Sequence, residues 1–381
     1  MLKNNLILLC LIFHLNLLFS QQENDTWIKF EGADTYLIGY KDQKGEVRIE
    51  PKFTFLTNAE IFKNIIPVFE ETNLKGEDSK IKQYYLLKNG KQIGRDSLYV
   101  YDTTLDCENE NKIRFWDPKT DKVGFFDGNG NIVIPAVYDN AQPFYNGFSV
   151  VIKDGKRICA DEVQEKEPCE HWSWFGNIQI INDKNQVVAD HVPSESLNGI
   201  DWFSVKKNST EANENEITFL SPDGGTYSFL NVDKEFENWY RQNFLKQVSD
   251  SNINSFLFEK ITYDANEAMQ FNKKIKFKDS FWKTENREEF LKNNKGFLLK
   301  MIQKYKESKT VISTGMTPLL FKYEEMPQYF SDCGVYQNIK FPYFRVYLLN
   351  KNKVVLNTIS FIKTEKEFRL LEIFRILYFR Y

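Results

Sequence analysis

Hydrophobic residues fall along this chain in three regimes, each with its own period. Residues 6–19 are almost wholly apolar, broken only by His14 and Asn16. From there to residue 232 the apolar positions come in short runs bounded by Asp, Asn and Gly, which predicts strands joined by tight turns. Beyond Asp233 the spacing changes. Phe236, Trp239, Tyr240, Phe244 and Val248 recur at helical intervals, predicting an amphipathic helix with Asp233 near its cap. A further helix is predicted over 285–292, continuing or restarting after Gly296 with Leu298, Met301, Ile302 and Tyr305 on one face. The period then falls to two: 344–349, a turn at 350–353, and 354–361 read as a hairpin, with 368–374 as another strand. The expectation is a mainly β repeat array over 21–232 followed by a smaller α+β domain over 233–381.

The β region repeats itself. Gly39, Tyr40, Asp42 and Gly45 coincide without a gap with Gly124, Phe125, Asp127 and Gly130, and the apolar positions after the turn coincide too. The physical unit is a β-hairpin: Asp42 and Asp127 hydrogen-bond forward into the turn, and Gly45 and Gly130 supply the positive φ at its end. Both copies then run through a proline (Pro51, Pro135) to an aromatic (Phe53, Tyr138), a loop carrying Phe62 or Phe144, and a last apolar strand. Weaker turns stand at 182–186, 221–224 and 88–91. A spacing of about forty residues is that of arrays in which each unit buries its face against its neighbours.

Residues 124–153 resemble a WG repeat, through Val123-Gly124, Asp127, Gly130, Ile134-Pro135, Tyr138-Asp139, Phe144 and Gly147; residues 39–69 resemble it more loosely. The tryptophan of the family pattern is Ile38 in one copy and Val123 in the other. The resemblance covers about half of the chain beyond residue 20. It implies a β-repeat array and no particular activity.

Composition adds compartment and excludes partners. Lys3, the apolar run and Ser20 before a polar stretch have the layout of a cleaved secretory signal over 1–20, so the expected destination is periplasmic, cell-surface or secreted. Cys10 follows two bulky leucines in mid-run, which argues against a lipid-attachment box. No later stretch is apolar for long enough to span a bilayer, so no membrane span is expected after cleavage. Fifty basic and 53 acidic residues, interspersed and summing to −3, give no reason to bind nucleic acid. Aromatics at 15% favour β-rich packing. In an oxidising compartment Cys159 and Cys169 are the expected disulfide, closing a short charged loop.

Candidate chemistry is sparse. With His14 in the signal, only His171 and His191 remain, and no serine lies in a nucleophile elbow, so no catalytic residue is assigned. Cys159, Cys169, His171 and His191 match no standard zinc spacing, and 127–131 is better explained as a turn than as a calcium loop; no metal or cofactor is expected. Trp172, Trp174 and Phe175, with Trp202 in a later strand, are the candidate binding surface, because exposed aromatics stack on sugars or anchor partners; core packing between repeats is the competing account. The expected function is an exported, non-enzymatic binding or scaffold protein whose repeat surface meets a protein, peptide or glycan at the cell envelope. The alternative is a ligand pocket or an enzymatic activity in the aromatic-rich C-terminal domain.

Overall fold

The computed structural model describes residues 26–33, 35–72, 80–159, 172–209, 213–265, 282–315, 317–350, 352 and 355–375. The expected signal at 1–20 lies outside them. Two compact units are formed: one of residues up to Phe144, Ser149–Gly176 and Asp332–Gly334, the other of Tyr145–Phe148, Asn177–Ser331 and Val335 onward. Residues 177–232, grouped by sequence with the repeats, thus cluster with the second unit.

The first unit opens with strands β1 (Trp27–Glu31), β2 (Ile38–Lys41), β3 (Val47–Phe53), β4 (Ile61–Phe62), β5 (Ile65–Thr72), β6 (Lys80–Leu87) and β7 (Gln92–Ile93), in the sheet order β4-β1-β2-β3-β5-β6-β7. After the short pair β8 (Val100–Tyr101) and β9 (Thr104–Leu105) comes a second sheet of β10 (Lys112–Asp117), β11 (Lys122–Asp127) and β12 (Ile132–Tyr138). A separate sheet begins with β13 (Asn140–Ala141), paired with β14 (Phe148–Cys159), and goes on through β15 (Trp172–Asn182).

The two good repeats are congruent in register. Ile38 faces Phe53 and Tyr40 faces Ile49; Val123 faces Tyr138 and Phe125 faces Ile134. In each, the return strand carries extra residues opposite the glycine, a bulge that also accommodates the proline, which has no N–H to give the ladder. Asp42 Oδ1 accepts from the N–H of Lys44 (2.9 Å) and Glu46 (3.0 Å), and Asp127 Oδ1 from Asn129 (2.9 Å) and Asn131 (2.8 Å). Burial opposes ionisation of Asp127, but these bonds outweigh it and hold the carboxyl below its ordinary value. The weaker copies fold into the same turn. Asn182 replaces the aspartate, accepting from Lys184 and Gln186, and Asn185 takes the glycine's place at φ 60°. Leu87 and Ser221 start the other two, with Gly90 and Gly224 at positive φ.

In the second unit β16 (Val187–Ala189) pairs with the end of β15, and β17 (Lys206–Lys207), β18 (Glu216–Leu220) and β19 (Thr226–Leu230) form a small sheet in the order β17-β19-β18. Helix α1 (Val232–Trp239) follows directly. Its cap is Asn231, whose side chain accepts from Lys234 N–H; Asp233, expected near that role, instead accepts from Thr314 Oγ1 at 2.9 Å. The helix runs on through a π-helical turn, Tyr240–Phe244, to Leu245–Gln247. Next come β20 (Leu257–Asp264), β21 (Trp282–Asn286), α2 (Arg287–Glu307), β22 (Thr310–Thr314), β23 (Tyr343–Leu349), β24 (Val355–Lys363) and β25 (Phe368–Arg375). Their six-stranded sheet has the order β21-β20-β25-β24-β23-β22, antiparallel except where β20 meets β25. The chain is therefore mainly β, a hairpin repeat array with a smaller α+β part, as its pattern predicts.

One face of that sheet carries α1 and α2. The space between is filled by aromatics: Phe236 stacks on Phe344 at 4.1 Å and meets Phe361 and Phe368. The opposite face receives Leu320, Phe321, Met326 and Phe341. Glu372 lies on that side, fully buried. It accepts from the N–H groups of Leu319 and Leu320 and from the Tyr343 hydroxyl, and burial pushes its carboxyl up. With both oxygens engaged and no path to solvent, it fixes residues 319–320 to the sheet rather than offering an acid to a substrate.

Candidate functional site

The aromatics singled out by sequence do not form one surface. Trp174 is half-buried on β15 with the Arg157 guanidinium 4.8 Å above its ring, and Arg157 is itself held by Asp121 at 3.0 Å. Phe175 is 58% exposed. Trp172 begins β15, and its side chain lies outside the described residues. Trp202 belongs to the second unit and is buried, its ring 5.3 Å from Phe229 and 6.3 Å from Phe148. It packs a core and presents nothing to a partner.

The structure adds a cysteine pairing that the sequence reading does not name. Cys107 is bonded to Cys333 across a sequence separation of 226. Cys159 is also disulfide-bonded, while Cys169 lies outside the described residues. His191 is exposed beside Asp190, 3.3 Å away, and His171 lies outside the described residues.

A candidate site stands in the second unit, where the alternative reading places a ligand pocket in the C-terminal domain without naming its residues. A groove of about 730 Å³ opens between the turn at 201–204, the outer face of α1 with its π turn, and the β24–β25 connection at 363–368. Each wall has a local cause. Asp201 caps its own 3-10 turn by accepting from Phe203 N–H at 3.0 Å, which turns Trp202 inward and Phe203 outward. Helical spacing puts Glu235, Asn238, Trp239 and Gln242 on the groove side, and the π turn adds Asn243. Single π turns inside helices recur at functional sites, since they re-aim side chains at a cost in helix regularity.

The floor of the groove is packed on aromatic rings. Trp239 is half-buried, with its ring 5.2 Å from Phe368, 5.6 Å from Phe361 and 5.9 Å from Phe244. Beside it Lys363 Nζ lies 2.6 Å from Asp201 Oδ2 and 2.6 Å from Glu235 Oε2, tying the end of β24 to the 3-10 turn and to the first turn of α1. Burial works against the ammonium, but hydrogen bonds and charge from the two carboxylates prevail, so Lys363 sits above its ordinary value.

The sign of that shift makes a test. A lysine raised on folding stabilises the fold fully below its unfolded value of about 10.4, and the contribution is lost as pH rises through the folded value. Lys363→Met strands two carboxylates side by side, and is expected to cost about 2–3 kcal/mol at neutral pH. Urea unfolding midpoints of both proteins should differ by a constant amount from about pH 6 to about pH 10 and converge above it. A gap that persists unchanged into strong alkali would show that Lys363 acts through packing alone.

Comparison with known proteins bears on the other half of the chain. The family model for the WG containing repeat matches residues 38–68 and 124–156, the two congruent hairpin units. No curated protein matches the sequence. Among the described residues no helix is long and apolar enough to cross a membrane.

Proposed function

The chain is a WG repeat-containing protein, and from that premise we propose that it is an exported, non-enzymatic binding protein whose repeats act as scaffold and whose ligand is held in the groove of the second unit. The observation that carries this reading is the groove's construction: a tryptophan packed among five phenylalanines, flanked by side-chain amides and a lysine shared between two carboxylates. Concave sites with an apolar floor and a few fixed polar groups are the usual form of a ligand pocket. Export is supported by the layout of residues 1–20. The absence of a nucleophile–base motif in the sequence favours binding over turnover.

The test compares three proteins on arrays of glycans, peptides and small metabolites: the wild type, Trp239→Ala, and Trp174→Ala with Phe175→Ala. Loss of a wild-type ligand in Trp239→Ala alone is the expected result. Loss confined to the Trp174/Phe175 variant would return the binding surface to the repeat region.

A further inference from the structure

We propose that the ligand of this groove is an uncharged, polyhydroxylated chain, a neutral oligosaccharide, stacked on Trp239 and hydrogen-bonded by the amides of Asn238, Gln242 and Asn243. The inference rests on the groove being the binding site and goes further by naming the ligand's chemistry.

Charge narrows the choice first. Of the groove's cations, Lys363 is shared between Asp201 and Glu235, while four carboxylates, at positions 201, 235, 365 and 367, face three lysines, at 340, 363 and 366. An anion would meet a net negative wall whose best-placed ammonium is already engaged. A metal cation or an amine would need several carboxylates without partners, yet Asp201 and Glu235 hold Lys363 and Glu367 holds Arg369, so Glu365 would have to serve it unaided by these three.

Shape and polarity remove the next two classes. Extended peptides are commonly captured by an open strand edge, which supplies a row of backbone donors and acceptors. Here the walls are a 3-10 turn, a helix face and a hairpin connection, and in that connection Lys363 N–H donates to Pro342 O and Thr364 N–H to Glu367 O. A lipid tail would have to bury a rim of charged and amide groups without satisfying them.

What remains matches a sugar. Each hydroxyl is both donor and acceptor, and so is each carboxamide; Asn238 already donates to Asn215 Oδ1 and Gln242 Oε1 already accepts from Lys246, which leaves the Asn238 carbonyl and the Gln242 NH2, beside Asn243, to meet hydroxyls without regard to charge. The apolar C–H face of a pyranose complements an indole face, and that of Trp239 is held in place before any ligand arrives, which lowers the cost of ordering on binding. Two of the three ammonium protons of Lys363 are committed to its carboxylates, which leaves one for a ring or hydroxyl oxygen. A volume of about 730 Å³ has room for several sugar rings in an open groove.

Calorimetric titration of the full chain tests this with three neutral probes (cellohexaose, maltohexaose and chitohexaose), a charged one (an oligogalacturonate) and an uncharged Gly/Ser hexapeptide. The expected result is saturable binding of at least one neutral oligosaccharide, equal at low and high salt, and weakened about tenfold in Trp239→Ala. Because Trp239 also packs a core, Asn238→Ala with Gln242→Ala provides a second variant on exposed positions, with a comparable loss expected. Binding of only the charged sugar or the peptide, weakened in both variants, would overturn the neutral-glycan assignment while leaving the groove as the site. Sugar binding that neither variant changes would overturn the groove itself. Silence of all three neutral probes, extended to a glycan array, would overturn the ligand class.

Discussion

Gly124→Ala is expected to destabilise the first unit by about 3 kcal/mol or more, a large effect for one added methyl group. A Cβ at this position would lie 2.6 Å from Ile134 O, 2.7 Å from Ala136 N and 2.8 Å from the Phe115 ring. Two of those three atoms belong to the main chain of the bulge, so relief requires moving backbone and not a side-chain rotamer. Gly39 stands in the same vice, at 2.6 Å from Ile49 O and 2.9 Å from both Pro51 N and the Phe30 ring. This is a physical account of the glycine in the repeat: the return strand bulges across it, and only a residue without Cβ lets the bulge close. Gly45 is the contrasting control. Its φ is +87° with nothing within 4 Å, so Gly45→Ala meets strain but no clash and should cost about 1 kcal/mol. Gly45→Asn should cost less still, because Asn185 fills the same turn position at φ 60°. Calorimetric unfolding of the four proteins decides it. If Gly124→Ala and Gly45→Ala shifted the transition equally, close approach would not be what the repeat demands.

The hairpins were legible because their signals are local. An aspartate that caps the turn and a glycine that ends it stand three residues apart, and the alternate apolar residues that follow need no knowledge of the rest of the chain. Helix α2 was legible by its spacing, although Gly296 invited a break that the packing of Phe297, Leu298 and Met301 overrides. Strand β20 was missed for a physical reason: most of its residues are buried, on both faces of the sheet, so the alternation that marks a strand is absent. The groove was illegible because its parts come from 201–204, from 235–243 and from 363–368, and each part alone reads as an ordinary solvated surface. Lys363 in particular is one lysine among many until folding sets it between two carboxylates. Residue type alone does not separate core from groove: Trp202 serves a core, while Trp239 lines the groove.

Removing the Cys107–Cys333 bond is expected to have the other large effect, up to about 4–5 kcal/mol, because in the chain-entropy account the stabilisation grows with the loop that is closed and here the separation is 226 residues. The sequence reading names Cys159 with Cys169, a pair that this bond does not involve; a pairing at such long separation leaves no local trace in the sequence. Its structural role is to hold Asp332–Gly334 on the first repeat. Asp332 O accepts from Glu60 N–H at 2.8 Å and from Ile61 N–H at 2.9 Å, its carboxylate pairs with Lys63 at 2.8 Å, and Cys333 packs against the cluster of Tyr40, Phe53 and Phe62. The contacts of Asp332 remain after Cys107→Ala with Cys333→Ala, so the variant should still fold, but with an unfolded state freed of its cross-link. Variants isolate the effect better than reductant, which also reaches the bond at Cys159. Unfolding of the variant in guanidinium should show a lowered midpoint, with a slope raised by the more expanded denatured chain. An unchanged midpoint would mean that the cross-link removes little entropy from the denatured chain and that the polar contacts of Asp332 hold the segment without it. The covalent bond would then add nothing that the fold does not supply.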